Sequence, residues 1–146
     1  MADGVFNIAK GKVAKIVEDN PTQLVVVLLK AAEADATLED YDDMSALLVA
    51  AGNTEADFTN YARKVTTDTD GTLTVNDTDN RTEASMGAIT WTSAGGTADN
   101  TMVKQIIAWQ SSAGDANLVP LVHRDYTETT SGSDITINAG DFFRAS

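Results

Sequence analysis

Residues 102–109 read Met-Val-Lys-Gln-Ile-Ile-Ala-Trp, and this strongly apolar run predicts a β-strand. Polar, loop-forming stretches lie on both sides of it, at 93–100 and at 111–117. Further strand patterns occur at similar spacing, and they cover residues 88–92, 118–123, where Pro120 indicates an edge or a bulge, and 135–137. Short strands separated by turn residues in this way indicate an antiparallel β-sandwich or a jelly-roll-like pair of sheets.

The first third of the chain predicts a helix and a buried segment. Val13, Ile16 and Val17 have helical spacing, so we expect a short helix over about 10–18 that Asn20-Pro21 ends. Residues 24–29, Leu-Val-Val-Val-Leu-Leu, suit a strand covered on both faces, although a buried helix fits the same run.

A longer helix is expected over about residues 38–51. Thr37 would be its N-cap and Gly52 its left-handed end. One face of this helix would carry Leu38, Tyr41, Met44, Leu47, Leu48 and Ala51. Residues 58–65 fit either a second short helix or a strand, and Asp70-Gly71 indicates a turn between strands at 65–67 and 72–75.

These patterns predict a mainly β, α+β fold with an N-terminal helical part. The length of 146 residues suits a single domain covering 1–146. Within it we distinguish a possible N-terminal arm at 1–20, a strand plus helix at 21–60, and a β-rich part at 61–146. The helix is expected to pack on a sandwich formed mainly by residues 61–143.

Composition limits the functional classes. The chain has 42% hydrophobic residues, which is enough for a core, and no cysteine, so disulfides and thiolate chemistry are excluded. Its 22 acidic against 10 basic residues give a net charge of −12, which disfavours nucleic acid and anionic membranes as partners. The N-terminus lacks a signal-peptide pattern, and the longest apolar run is far shorter than a membrane span. We therefore expect a soluble protein made in a cytoplasm.

Basic residues are concentrated near the N-terminus. Lys10, Lys12 and Lys15 lie there, whereas residues 31–60 contain eight acidic residues and no lysine or arginine. One interpretation is that both segments form solvated faces. The other is a basic arm that docks on an acidic neighbour, such as a second copy of the chain.

Catalytic patterns are weak. His123 is the single histidine, and His123-Arg124-Asp125 matches the letters of a kinase catalytic loop without the other kinase motifs. No Gly-x-Ser-x-Gly elbow accompanies it. We predict that the protein is not an enzyme, and that His123 lies at a strand end, either exposed or hydrogen-bonded.

A cation site is the weakest of the site hypotheses. Asp68, Asp70 and Asp77 resemble part of a calcium loop, and Asp77 with Asp79 is a further pair, but the pattern lacks the first Asp and the final Glu of an EF-hand. Ordinary turn chemistry explains the same residues. We therefore expect neither a metal nor a cofactor.

The C-terminal Phe142-Phe143-Arg144 is a candidate contact surface. Adjacent residues of a strand point to opposite faces, so one phenylalanine would pack inward and the other would face a partner. Phenylalanine and arginine are both frequent in interfaces. Together with Lys10, Lys12 and Lys15, these three residues are our predicted partner-binding set.

Three segments carry a resemblance to a known class of proteins. They are Glu55-Ala-Asp-Phe-Thr-Asn-Tyr-Ala-Arg-Lys64, the strand Ile89-Thr-Trp-Thr92 followed by Ala94-Gly-Gly-Thr97, and the ending Asp141-Phe-Phe-Arg-Ala-Ser146. The chain resembles structural proteins of tailed-bacteriophage virions, most of all head decoration (cement) proteins. The resemblance implies a homotrimer that binds the major capsid protein on the outer capsid surface and stabilises the capsid, after synthesis in the host bacterial cytoplasm.

Two other functions fit the same sequence. A tail, neck or fibre-associated virion protein could use exposed Thr, Asn and Gly loops to bind a receptor or glycan. A small glycan hydrolase would need two carboxylates, for which Asp77, Asp79 and Asp125 are the residues to test.

Overall fold

The computed structural model describes residues 3–66, 71–95 and 100–145. Its strands are β1 (Gly4–Val5), β2 (Leu24–Ala31), β3 (Thr54–Glu55), β4 (Lys64–Val65), β5 (Thr72–Asn76), β6 (Arg81–Met86), β7 (Ile89–Trp91), β8 (Thr101–Gln110), β9 (Leu118–Thr129), β10 (Ile135–Ile137) and β11 (Gly140–Ala145). Its α-helices are α1 (Val13–Asp19), α2 (Asp35–Leu38) and α3 (Met44–Val49), and short 3-10 turns lie at Asn7–Ala9 and Asp115–Asn117.

The main sheet is antiparallel, with strand order β1-β9-β8-β2-β3, and β4 also pairs with β2. A three-stranded sheet, β11-β6-β5, and a two-stranded sheet, β10-β7, complete the described β-structure. The fold is therefore mainly β, with few helices and a sandwich-like arrangement, as the sequence predicts. One difference is that β2, from the first third of the chain, lies inside the main sheet.

The strand β2 explains why the run at 24–29 is apolar at every position. Val25, Val27 and Leu29 pack into a core shared with α2 and α3. Leu24, Val26 and Leu28 pack into a second core on the opposite face, shared with α1, β6, β7 and β11. A strand covered on both faces needs apolar side chains in both directions, so the strand interpretation is confirmed and the helix alternative is wrong.

The single helix expected over 38–51 is wrong. Two short helices, α2 and α3, replace it, and Asp43 begins the second by accepting a hydrogen bond from the Ala46 backbone N–H at 2.8 Å. Thr37 lies inside α2 and is not an N-cap. The second helix ends at Val49, and Gly52 does not have a positive φ. The apolar spacing nevertheless marks the buried positions, since Leu38, Met44 and Leu47 all pack into the core that also holds Val25, Val27 and Leu29 of β2.

Other local predictions have mixed outcomes. Helix α1 is confirmed with shifted ends, and Pro120 lies beside a register shift between β8 and β9, as expected of a bulge. Residues 58–65 form a turn followed by β4, without a second helix. The expected turn at Asp70-Gly71 lies partly outside the described residues, but the flanking strands do not form a hairpin, because β4 pairs with β2 and β5 pairs with β6.

Candidate functional site

A buried charged side chain lies in the middle of β8. Lys104 is fully buried on the face of the main sheet that α2 and α3 cover. Its ammonium group lies 2.7 Å from the Asp35 carboxylate of α2, 2.6 Å from Asp125 and 3.3 Å from His123 Nδ1. An ammonium group has three N–H donors, and these three acceptors match them in number. The lysine therefore ties α2 to two neighbouring strands.

The register of β8 and β9 brings these groups together. Lys104 is paired directly with Asp125, and Ile106 is paired with His123, so all of these side chains share one face of the sheet. His123 is hydrogen-bonded, as the sequence analysis allows, but it lies fully buried inside β9 and not at a strand end.

The hydrogen bonds of His123 define its tautomer. Lys104 can only donate, so Nδ1 of His123 accepts, and Nε2–H donates to the Glu39 carboxylate at 3.1 Å. Glu39 follows α2 directly, and its carboxylate also lies 3.4 Å from the Lys10 ammonium.

The N-terminal segment covers this cluster. Gly4 pairs with His123 in the sheet, and a Cβ atom at Gly4 would collide with both His123 and Glu39. The buried Phe6 ring makes an edge-on contact with His123, with 5.6 Å between ring centroids. Asp3 accepts a hydrogen bond from the Asp125 backbone N–H. The backbone of the segment is thus packed tightly over the histidine.

The electrostatics of the cluster favour a structural role. Burial lowers the pKa of Lys104, but hydrogen bonds to Asp125 and Asp35 more than offset this effect, so its pKa lies above the ordinary value. A lysine held in its charged form is not a nucleophile. The cluster has the residue types of an active site, yet its two central side chains are sealed from solvent and bound to one another.

Sequence reasoning missed Lys104, Asp35 and Glu39 as site residues. The signal was present in the opening stretch, because a lysine inside an apolar strand must find partners when the strand is buried. Its partners could not be deduced, since Asp35 and Glu39 lie about seventy residues away in sequence and look like ordinary surface acids.

A second ion-pair cluster surrounds Arg63. Its guanidinium group makes a bidentate contact with Glu55 at 2.7 Å and also binds Asp115. Tyr61 donates to the same Glu55 carboxylate and accepts from the Leu28 backbone N–H. Hydrogen bonding to Arg63 lowers the pKa of Asp115. Because Arg63 binds both Asp115 and Glu55, it holds the loop between β8 and β9 against β3.

The C-terminal strand borders an open cleft of about 320 Å³. The cleft is lined by Asp3, Arg124, Asp141, Phe142, Phe143 and Arg144. It therefore brings the predicted contact residues 142–144 together with Arg124 of β9 and with the N-terminal segment.

The expectation that one of the two phenylalanines faces outward is wrong. A β-bulge lies between Asp141 and Phe143, so Phe142 is an extra residue in the pairing with β6. The bulge interrupts the alternation of side chains. As a result Phe142 is buried in the core, and the half-buried Phe143 packs against the same core. Arg144 is exposed.

The remaining residues of the predicted partner-binding set are the three lysines near the N-terminus. Lys10, Lys12 and Lys15 are all exposed, and Lys15 forms an ion pair with Asp19 at 2.6 Å, while Lys10 binds Glu39. Helix α1, which carries Lys15, contacts β11.

The cation-site residues are only partly described. Asp68 and Asp70 lie outside the described residues, and Asp77 is exposed in the turn between β5 and β6. Asp79 of the same turn pairs with Arg81 at 3.0 Å. Within 3–66, 71–95 and 100–145, no three acidic or histidine side chains come together as a metal site would require.

Comparisons with protein-family models, curated proteins and solved structures found no match to this chain. In the described part of the chain, no helix combines the length and apolar character needed to cross a membrane.

Proposed function

We propose that this protein is a non-enzymatic virion component that binds the outer surface of a phage capsid and stabilises it. The proposal rests on one observation, which is that the side chains with catalytic potential contact one another inside the fold. Lys104, His123 and their carboxylate partners satisfy one another beneath the N-terminal segment, so they strengthen the folded shape. The resemblance of residues 55–64, 89–97 and 141–146 to decoration proteins supplies the particular role.

The surface offers a contact region consistent with this role. This region consists of the exposed Lys10, Lys12 and Lys15 together with β11, which carries Phe143 and Arg144; helix α1, which carries Lys15, contacts β11. Its three lysines contrast with the net charge of −12 of the whole chain. We propose that this region binds the major capsid protein and that the chain acts as a homotrimer. Many equivalent copies on one particle would give strong total attachment from modest individual contacts.

Addition of the purified protein to capsids that lack it tests this function. We expect saturable binding at hundreds of copies per head and greater resistance of the heads to heat. A triple Lys10→Gln/Lys12→Gln/Lys15→Gln variant should bind more weakly than a Lys30→Gln/Lys64→Gln variant, which removes lysines outside the proposed region. Absence of binding to heads would overturn the proposal, and a few copies located on tails would indicate a tail, neck or fibre role.

A further inference from the structure

The outer edge of β11 is available to another strand. β11 pairs with β6 along one edge, and none of the strands in the described ranges pairs with its other edge. Such an edge presents backbone N–H and C=O groups that a further strand can bind. An open cleft borders Asp141–Arg144, and Asp3 and Arg124 line its other side.

The bulge in β11 places its two charged residues on the same face. Asp141 pairs with Ser85, and Arg144 pairs with Glu83. Ser85 and Glu83 are two residues apart on β6 and share a face, so their partners on β11 share it as well. In a regular strand, residues three apart would point to opposite faces.

We propose that two copies of this chain associate through antiparallel pairing of their β11 strands. A twofold axis between Phe142 and Phe143 places Asp141 of each copy opposite Arg144 of the other. Residues that are directly opposite must share a face, and the bulge meets this condition. Arg144 contacts Asp141 of its own strand at 3.2 Å, and in the pair it would bind the second copy's carboxylate.

The charge pattern indicates that the strand pairing with β11 belongs to a second copy of the chain. A strand with an acidic residue at one end and a basic residue at the other is complementary to its own antiparallel copy, and opposite charges across strands stabilise pairing. The strand β5, at the far edge of the same sheet, reads Thr-Leu-Thr-Val-Asn and has no charge to fix a register. Pairing through β11 would join two three-stranded sheets into one of six strands.

This inference goes beyond the capsid role, because it concerns contacts between copies of the chain alone. A β11 of six residues gives a small interface, which implies weak association in solution. On a surface that holds many copies, the same contact would link neighbours across twofold positions.

Sedimentation velocity of the purified chain, from about 10 µM to about 1 mM, tests the inference in the range where small interfaces associate. The mass of wild type should rise with concentration: a monomer should reach twice its mass, and a trimer, which has three β11 edges to pair, should form larger assemblies. Asp141→Arg and Arg144→Asp each place like charges opposite one another at both ends, so each should weaken association on the order of tenfold. The double variant Asp141→Arg/Arg144→Asp should restore it. Asp42→Arg, which makes the same charge change at an exposed residue between α2 and α3, on the opposite face of the main sheet from β11, is the matched control.

Three results would overturn the proposal. The first is a constant mass for wild type over the whole concentration range. The second is an equal effect of Asp141→Arg and Asp42→Arg, which would mean a general charge effect. The third is failure of the double variant to restore association while its circular dichroism matches wild type, which would locate the contact elsewhere. None of these results depends on capsid binding.

Discussion

Replacement of Lys104 by methionine tests whether the buried cluster stabilises the fold. Methionine keeps the length and apolar stem of the side chain, but it leaves Asp35 and Asp125 without their cation and His123 Nδ1 without its donor. Loss of one partner from a buried ion pair typically costs about 3–5 kcal/mol. The two carboxylates are 24% and 37% exposed and can regain water, so we expect the lower end, about 3 kcal/mol.

The chain contains a matched control for this substitution. Lys30 forms an ion pair with Asp57 at the same distance, 2.6 Å, but these side chains are 29% and 64% exposed. Lys30→Met should therefore cost no more than about 1 kcal/mol. The two variants lose the same atoms and the same charge, so a difference between them reports on burial and on the number of partners that each lysine has.

Urea unfolding, followed by circular dichroism, gives the free energy of unfolding of each variant. With a slope of about 2 kcal/mol per molar urea, Lys104→Met should lower the midpoint by about 1.5 M, and Lys30→Met should lower it by at most about 0.5 M. The triple variant Lys104→Met/Asp35→Asn/Asp125→Asn removes the orphaned charges and should recover part of the loss. Equal midpoints for the two lysine variants would refute the argument that Lys104 is a structural cation.

Three further predictions follow from other parts of the structure. Gly4→Ala should destabilise the protein by about 1–3 kcal/mol in thermal unfolding, because its Cβ would collide with His123 and Glu39, whereas Gly140→Ala has open space and should be near neutral; similar melting temperatures for both would contradict this. The depressed pKa of Asp115 means that its ion pair stabilises the fold above its unfolded pKa, near the ordinary value of 3.8, and that this contribution is lost as the pH falls through the lower folded pKa. The difference in unfolding free energy between wild type and Asp115→Asn should thus shrink between about pH 5 and about pH 2, and a constant difference would argue against the ion pair. Trp91 is buried and Trp109 is partly exposed, so acrylamide should quench the fluorescence of Trp91→Phe more strongly than that of Trp109→Phe, and equal quenching would contradict the placement.

Several strands were predictable because their signals are local, whereas β6 (Arg81–Met86) was not predicted. Residues 24–29 and 102–109 are apolar enough to be buried in any fold, and Ile89-Thr90-Trp91 alternates as a strand with one covered face should. Turn residues then set the spacing of the strands. These features give the fold class without knowledge of any distant contact.

The helix over 38–51 was not predictable in detail because distant contacts interrupt it. Its apolar spacing is real, but Glu39 turns toward His123 and Lys10, and Tyr41 donates a hydrogen bond to Glu33. Asp43 then begins a new helix. Tertiary contacts of this kind override helix propensity, which is only a weak preference.

The buried cluster around Lys104 helps to fix the register of β9 against β8. A one-residue slip of β9 against β8 would move His123 and Asp125 to the other face and leave Lys104 buried without them. An uncompensated buried charge costs several kcal/mol, whereas apolar residues tolerate many arrangements. We therefore expect the triple variant to regain stability while it loses uniqueness of structure, visible as broader amide resonances along β8 and β9. The virion role that we propose requires one fixed shape for contact with neighbouring subunits, so it would benefit more from that uniqueness than from the last increment of stability.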